Sequence, residues 1–378
     1  MKLFHLSDLH LGKRVNEYSM IEDQIHILNQ IIDIADAHHP DAVMIAGDIY
    51  DKSVPSAEAV SLLDDFLVQL AKRRIPVFII SGNHDSAERL SFASKIIEES
   101  GIHISPVYNA DVSPIKLNDE HGEVNIYMLP FVKPIHIRRY TDVEINTYTD
   151  AIREAIKMMN VDFSCRNVLM AHQFVTGSSR SDSEEISVGG TDNVDASAFD
   201  GFDYVALGHI HSPQSCGCEH IRYCGTPLKY SFSEAKDKKS VTVVEIGKKG
   251  EVRVDTIPLV PLREMVEIRG KYDEITLKSF YEGTTYRDDY IHITLTDEDD
   301  VPSAMGKLRA IYHNIMKLDY DNARTRRTAQ IDGACDVERK SPLELFSDFY
   351  KEQNNQEMSE EQLSFMKSLI EKLWEDEQ

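Results

Sequence analysis

What this chain has little of narrows the field first. No run of roughly eighteen apolar residues occurs in its 378 residues, so no helical membrane span is expected. Cysteine is sparse and odd in number: Cys165, Cys216, Cys218, Cys224 and Cys335. Such a set is no disulfide framework, and the cytoplasm is the expected compartment. The N-terminus enters KLFHLSDLH directly, with no basic start or long apolar stretch, so no secretory leader is expected. Positive charge is also short: 41 Lys and Arg face 64 Asp and Glu, a formal net charge of −23. A chain of that charge repels polyanions at long range. A nucleic-acid substrate would therefore need local basic residues, bound cations or a partner protein.

One cysteine cluster, CGCEHIRYC, holds Cys216, Cys218, His220 and Cys224. Its spacing matches none of the usual structural-zinc patterns, so small residues in a strand–turn segment compete with zinc as its explanation. What remains is ordinary for a soluble globular protein, with 42% hydrophobic and 28% charged residues. The length suggests two or three structural units.

Residues 1–260 alternate strand-like and helix-like patterns. KLFHL, DAVMIAG and PVFIIS read as strands. Between and after them come EDQIHILNQIIDIADAH, with Ile25, Leu28, Ile31, Ile32 and Ala35 at helical spacing, and SAEAVSLLDDFLVQLAKR, with Ser56 as N-cap. SAERLSFASKIIEES predicts a third helix closed by Gly101. VNIYMLP, RNVLMAH and FDYVALGH are later strands, INTYTDAIREAIKMM a helix between the first two, and KSVTVVEIG with GEVRVDTIPL a hairpin turning at Lys248, Lys249 and Gly250. The alternation predicts an α/β core with a mainly parallel, buried sheet. A strand–helix–strand–helix–strand module follows over 261–335 as an accessory domain. A tail over 341–378 opens on the capping box SPLE, then a second one, SEEQ. Its apolar positions include Phe346, Phe349, Leu363, Met366, Leu369 and Leu373, beside the lone Trp374. Two readings of that tail stand: helices docked on their own core, or a partner-binding element.

Ligands of an open α/β sheet gather beyond the carboxyl ends of its strands. The strand exits here carry Asp8 and His10, Asp48, Asn83, His84 and Asp85, His172, and His209 and His211. Eight of these (Asp8, His10, Asp48, Asn83, His84, His172, His209, His211) are oxygen or imidazole donors, with no thiolate among them. That mixture suits manganese, iron or zinc, whereas calcium and magnesium would not select so many histidines. The set is large enough for a pair of ions with a bridging carboxylate, one histidine being spare.

Taken together, SDLHLG, GDIYD, SGNHD, MAHQ and GHIH resemble the signature set of calcineurin-like metallophosphoesterases. The longer stretches SDLHLGKR, GDIYDKSVPSAEAV, SGNHDSAERL, VGGTDNVDASAFDGFDYVALGHIHSPQ and RYCGTPLKYSFSEAKDKKSV resemble the SbcD-like branch of that superfamily, nuclease subunits of bacterial complexes. The resemblance spans nearly the whole chain. It implies a metallophosphoesterase domain over 1–260, a capping domain over 261–335 and a partner-binding helical tail over 341–378. It implies that Asp8, His10 and His211 hold one ion and that Asn83, His172 and His209 hold the other. Asp48 would bridge them, and His84 would act on the scissile phosphate without being a ligand. The implied cofactor is two divalent ions, with manganese the metal of best activity.

The implied activity is 3′–5′ exonuclease on double-stranded DNA ends and endonuclease at hairpins, in DNA repair, recombination and replication. The implied partners are DNA, an SbcC-like coiled-coil ATPase, and a second copy of the chain within a heterotetramer. On the residues alone, Asp85 and Asp51 are candidates to orient histidines. Lys13, Arg14, Lys52, Arg89 and Arg180 are candidates for phosphate contact. Two rivals remain on the same fold: a phosphatase or phosphodiesterase acting on small esters, and a metal-free interaction scaffold.

Overall fold

The computed structural model describes residues 1–179, 181–184, 192–323, 325, 341–354 and 357–376. Two six-stranded sheets lie face to face. The first runs in the order Val252–Pro258, Ser240–Ile246, Lys2–Leu6, Ala42–Ala46, Val77–Ile80, Ile102–Ile104. Its last four strands are parallel and its first two form the antiparallel hairpin. The second runs Gln214–Cys216, Cys218–Tyr223, Tyr204–Gly208, Arg166–His172, Gly122–Met128, Ile115–Asp119, parallel at its centre and antiparallel at both edges.

The reading of one buried sheet therefore needs correction, because the strands divide between two. The cause is side-chain alternation with both faces apolar. In Ala42–Ala46, Ala42, Met44 and Ala46 face the inner layer, while Val43 and Ile45 face the helices. The inner layer joins Leu3, Met44, Phe78 and Val244 to Ile126, Val168, Met170 and Ala206 of the opposite sheet. Strands buried on both faces read as continuous apolar runs, and nothing in such a run says which neighbour covers each face.

Helices Ile21–His38 and Ala57–Lys72 cover the outer face of the first sheet. Ser56 caps the second of these, accepting from Ala59 N at 3.2 Å. On the first, Ile25 turns out exposed, and Gln24 and Ile27 take the buried face instead. Helix Tyr148–Met158, with Thr147 as its cap, covers the outer face of the second sheet. The predicted third helix is broken into Ala87–Leu90 and Ser94–Ile97, because Ala93 sits in the left-handed region at φ 60°. The Ser91 hydroxyl donates to the Ala87 carbonyl there, competing with the helical ladder.

After residue 261 comes a three-stranded parallel sheet, Met265–Gly270, Tyr290–Leu295 and Asn314–Tyr320, with its own core of Ile268, Ile275, Ile291, Ile293, Leu308 and Ile315. It is tied to the main body at helix Ile21–His38. There Asp23 accepts from Tyr290 Oη at 2.7 Å and pairs with Arg263 at 3.0 Å. The tail forms helices Pro342–Asn354 and Glu360–Asp376. Each begins on its capping box: Ser341 with Glu344, and Ser359 with Gln362. Cys335 and Arg180 lie outside the described residues, as do the side chains of Leu373 and Trp374. Among the described residues no helix is long and apolar enough to cross a membrane.

Candidate metal centre

Three loops leave the first sheet side by side, after Leu6, after Ala46 and after Ile80. The backbone lines them up: Asp8 N donates to Gly47 O at 3.0 Å, His10 N to Asp48 O at 2.9 Å, and Leu11 N to Ile49 O at 2.9 Å. Asp85 joins the second and third loops, accepting from the backbone N–H groups of Ile49, Tyr50 and Gly82 at 2.9–3.0 Å. The opposite sheet supplies His172 at the end of one strand, and His209 and His211 just past the next.

Glycine allows the approach. A Cβ on Gly208 would strike the Ala46 carbonyl and His172 Nδ1, and one on Gly82 would strike the Asp48 carboxylate. Asp8, His10 and Asp48 take left-handed backbone angles, φ 52°, 43° and 48°, and His209 lies at φ 103°. Non-glycine residues held there cost roughly 1–3 kcal/mol each, strain that collects at working sites. The hydrogen bonds of the aligned loops oppose that cost. So does the Asp8 carboxylate, which accepts from His209 N at 3.0 and 3.2 Å.

All eight strand-exit donors converge. His10 and His211 point their Nε2 atoms at each other, 3.1 Å apart, with Asp8 beside them. On the other side, Asn83 Oδ1 lies 3.0 Å from His172 Nε2 and 2.9 Å from His209 Nδ1. Between the two groups lies Asp48 Oδ2, 3.3 Å from His172, 3.7 Å from His10 and 3.9 Å from His84 Nε2. Potential ligand atoms of Asp8, His10 and His211, and those of Asp48, His172 and His209, form groups within 4.8 Å. Asp8, His10, Asp48, His172, His209 and His211 are buried, whereas Asn83 and His84 stand partly exposed at the mouth.

The electrostatics suit cations. Burial pushes Asp8 up and drives His10 well down, leaving that imidazole neutral with a free lone pair. Burial would raise Asp48 too, but His172, His84 and His10 outweigh it and hold the carboxyl well below the usual range. Burial would lower His172, yet Asp48, Asp8 and the Ala46 carbonyl raise it to about 9. His172 Nδ1 lies 2.8 Å from that carbonyl, so Nε2 faces the centre. His10 Nδ1 is buried without a hydrogen-bond partner. A buried set of carboxylates and imidazoles aimed at common points fits a pair of divalent ions.

The other candidates fare differently. Asp85 orients backbone amides, not histidines. Asp51 offers its carbonyl to His84 Nδ1 at 3.2 Å, and its carboxylate to Lys13 at 2.7 Å. Arg89 donates to the Ser53 carbonyl at 2.9 Å, forming no salt bridge within its helix. Arg14 is turned to the Glu17 carbonyl. The cysteine cluster disperses: Cys216 meets Ser178, Cys218 meets His220 and Cys224 meets Ser7, so it builds no zinc site. The four described cysteines are free thiols.

Sequence reasoning missed the supports beneath the centre. Gln24 donates to the His10 carbonyl at 2.8 Å and to Tyr230 Oη at 3.0 Å, and Tyr230 donates in turn to the Leu9 carbonyl at 2.6 Å. Glu234, Lys239, Ser183 and Glu184 surround His211. For Tyr230, Glu234 and Lys239 the one signal was a polar, periodicity-free run, KYSFSEAKDKK, placed next to an apolar strand.

Comparison with known proteins follows the geometry. The calcineurin-like phosphoesterase profile matches residues 1–213, and the profile described as the type 5 capsule protein repressor C-terminal domain matches residues 261–354. The SbcD polypeptide of the nuclease SbcCD from Staphylococcus epidermidis is 34% identical, with 98% of each chain covered. Among solved structures, the TT1561 protein of Thermus thermophilus aligns at TM-score 0.38 and 10% identity, over 68% of this chain and 98% of its own. A dimetal phosphatase from Danio rerio aligns at TM-score 0.37 and 9% identity, over 68% and 96%.

Proposed function

Because this chain belongs to the calcineurin-like phosphoesterase family and, over nearly its whole length, to the SbcD branch of it, we propose that it is the metal-dependent nuclease subunit of an SbcCD-type complex. The observation that carries the reading is the convergence of donors from both sheets on Asp48, with His84 at the open rim. A scaffold that had discarded its chemistry would have no need of four site residues in strained backbone.

Asp8, His10 and His211 would hold one ion, Asn83, His172 and His209 the other, and Asp48 would touch both; manganese is the proposed metal. When bound, the pair of cations neutralises phosphodiester oxygens and lowers the pKa of a water towards neutrality. The protein's own part is to orient and to move a proton. Asp51 fixes the His84 ring through Nδ1, leaving Nε2 turned towards the centre, 3.9 Å from Asp48 Oδ2. In its protonated form that nitrogen donates to the departing sugar oxygen as the P–O bond breaks. Lys13, held by Asp51 and lying 5.7 Å from the Tyr230 ring centre, supplies positive charge near the centre. The rest of the DNA surface would come from the SbcC-like ATPase, which resolves the conflict between a chain of charge −23 and a polyanionic substrate.

His84→Gln tests the reading. Cleavage of blunt duplex from its 3′ ends, and of hairpins, should fall by roughly 10²–10⁴-fold with Mn²⁺. Mn²⁺ uptake measured by calorimetry should not change. Undiminished cutting would remove His84 from the chemistry, and lost uptake would make it a ligand. Turnover of small phosphate esters by the native chain, with none of duplex or hairpin, would favour the phosphatase instead.

A further inference from the structure

His211 is gripped at every polar atom except the one that faces the centre. Its backbone N–H donates to Glu184 Oε1 at 2.6 Å. Its carbonyl accepts from Lys239 Nζ at 2.9 Å and from Thr226 N at 3.0 Å. Its Nδ1 lies 2.6 Å from Ser183 Oγ, and that hydroxyl lies 2.6 Å from Glu234 Oε1. Direct contact between Nδ1 and Glu234 Oε1 is too long for a hydrogen bond, at 3.7 Å.

Glu234 is fully buried. An isolated charge there would be costly, and the fold answers with Lys239 Nζ at 2.6 Å on Oε2 and the Tyr230 backbone N–H at 3.3 Å on Oε1. A carboxylate paired in this way only accepts, so the Ser183 hydroxyl donates its single proton to Oε1. The serine oxygen can then only accept from His211, which places the imidazole proton on Nδ1. Nε2 is left with its lone pair pointing at His10 Nε2, 3.1 Å away, in the group that includes Asp8.

We infer that Ser183 and Glu234 are positioning residues for His211, a carboxylate–hydroxyl–imidazole relay that fixes its tautomer and ring orientation for metal binding. The inference rests on the reading of His211 as a ligand. The hydroxyl spans a gap that the carboxylate alone leaves open. The relay also explains why a buried Glu–Lys pair is kept beside a strand end where apolar residues would pack more cheaply. It joins the segment Ser181–Glu184 to the loop after Tyr223, so two stretches distant in sequence close on one side chain.

The test uses the full chain, stripped of metal by chelation and titrated with Mn²⁺ in a calorimeter, with no DNA present. For Ser183→Ala, one of the two binding events should weaken by roughly 10–100-fold while the other stays as in the native chain. The thermal midpoint of the metal-free variant should stay unchanged. Ser183→Thr, which keeps a hydroxyl on the same carbon, should restore the affinity. Glu234→Gln should weaken the same event if it folds, and the serine pair decides the matter if it does not. Native affinity at both events in Ser183→Ala, or Thr binding as weakly as Ala, would overturn the relay. Absence of Mn²⁺ uptake by the native chain would instead overturn the metal-centre reading, so the two failures are distinct.

Discussion

Among single residues, His172 carries the sharpest consequence of burying a donor set. In the metal-free chain burial disfavours its charge, but Asp48, Asp8 and the Ala46 carbonyl hold its pKa at about 9 against an unfolded 6.5. A histidine raised in this way contributes stability that is complete below pH 6.5 and lost as the pH climbs through 9. Asp85, raised to about 6 by burial and by Asp48, titrates largely below that window. Metal-free protein should therefore lose about 3 kcal/mol between pH 6.5 and 9.5, read as a falling midpoint in urea. Mn²⁺ binding near pH 8 should release close to one proton from this side chain, seen as a buffer-dependent heat. A flat urea midpoint across the window would mean that His172 is neutral throughout. The donors themselves were legible, since Asp, His and Asn after apolar runs pack poorly and mark strand exits. Ser183 and Glu234 were not, because Ser183 reaches His211 across 28 residues and reaches Glu234 across 51. Polar residues in loops have no periodicity that would reveal such a pairing.

Loops and strands, the next scale up, meet at Asp85. One carboxylate accepts three backbone N–H groups from two loops, and so sets the spacing between Asp48 and Asn83. Asp85→Ala should cost on the order of 3 kcal/mol and weaken metal binding, whereas Asp85→Asn should lose less. Urea titrations of both variants, with and without Mn²⁺, check this, and equal stability of the alanine and native chains would refute it. Capped helices were the easiest elements to read: Ser56, Ser341 and Ser359 all accept from the amide their spacing implies. The helix after Ser86 was misread, since an apolar period cannot announce a left-handed turn at Ala93. The partition of strands between sheets was equally hidden, because register depends on partners far away in the chain.

For the molecule as a whole, apolar surface left in water points outwards. Phe92 is 82% exposed and Ile96 75%, on the broken helix that Arg89 fastens to Ser53. Phe349, Leu363, Phe365 and Leu369 are exposed on the tail, whereas Leu345, Phe346, Met366 and Ile370 are half-buried. We propose the first surface for a second copy of the chain and the second for the coiled-coil partner. In light scattering, Phe92→Ser with Ile96→Ser should shift the chain to monomer. Deletion from residue 341 onwards should leave both oligomer and melting intact while abolishing co-purification with the ATPase. A monomeric native chain, or a truncated one that still holds its partner, would refute these assignments.

Asp8, His10, Asp48 and Asn83 come from one sheet, whereas His172, His209 and His211 come from the other. The centre thus straddles the seam of the sandwich, and each ion seated there would rivet one layer to its opposite. Neither layer is equipped to bind alone, and stripping the rivets would leave the seam to the inner apolar layer and to pairs such as Asp48 with His172.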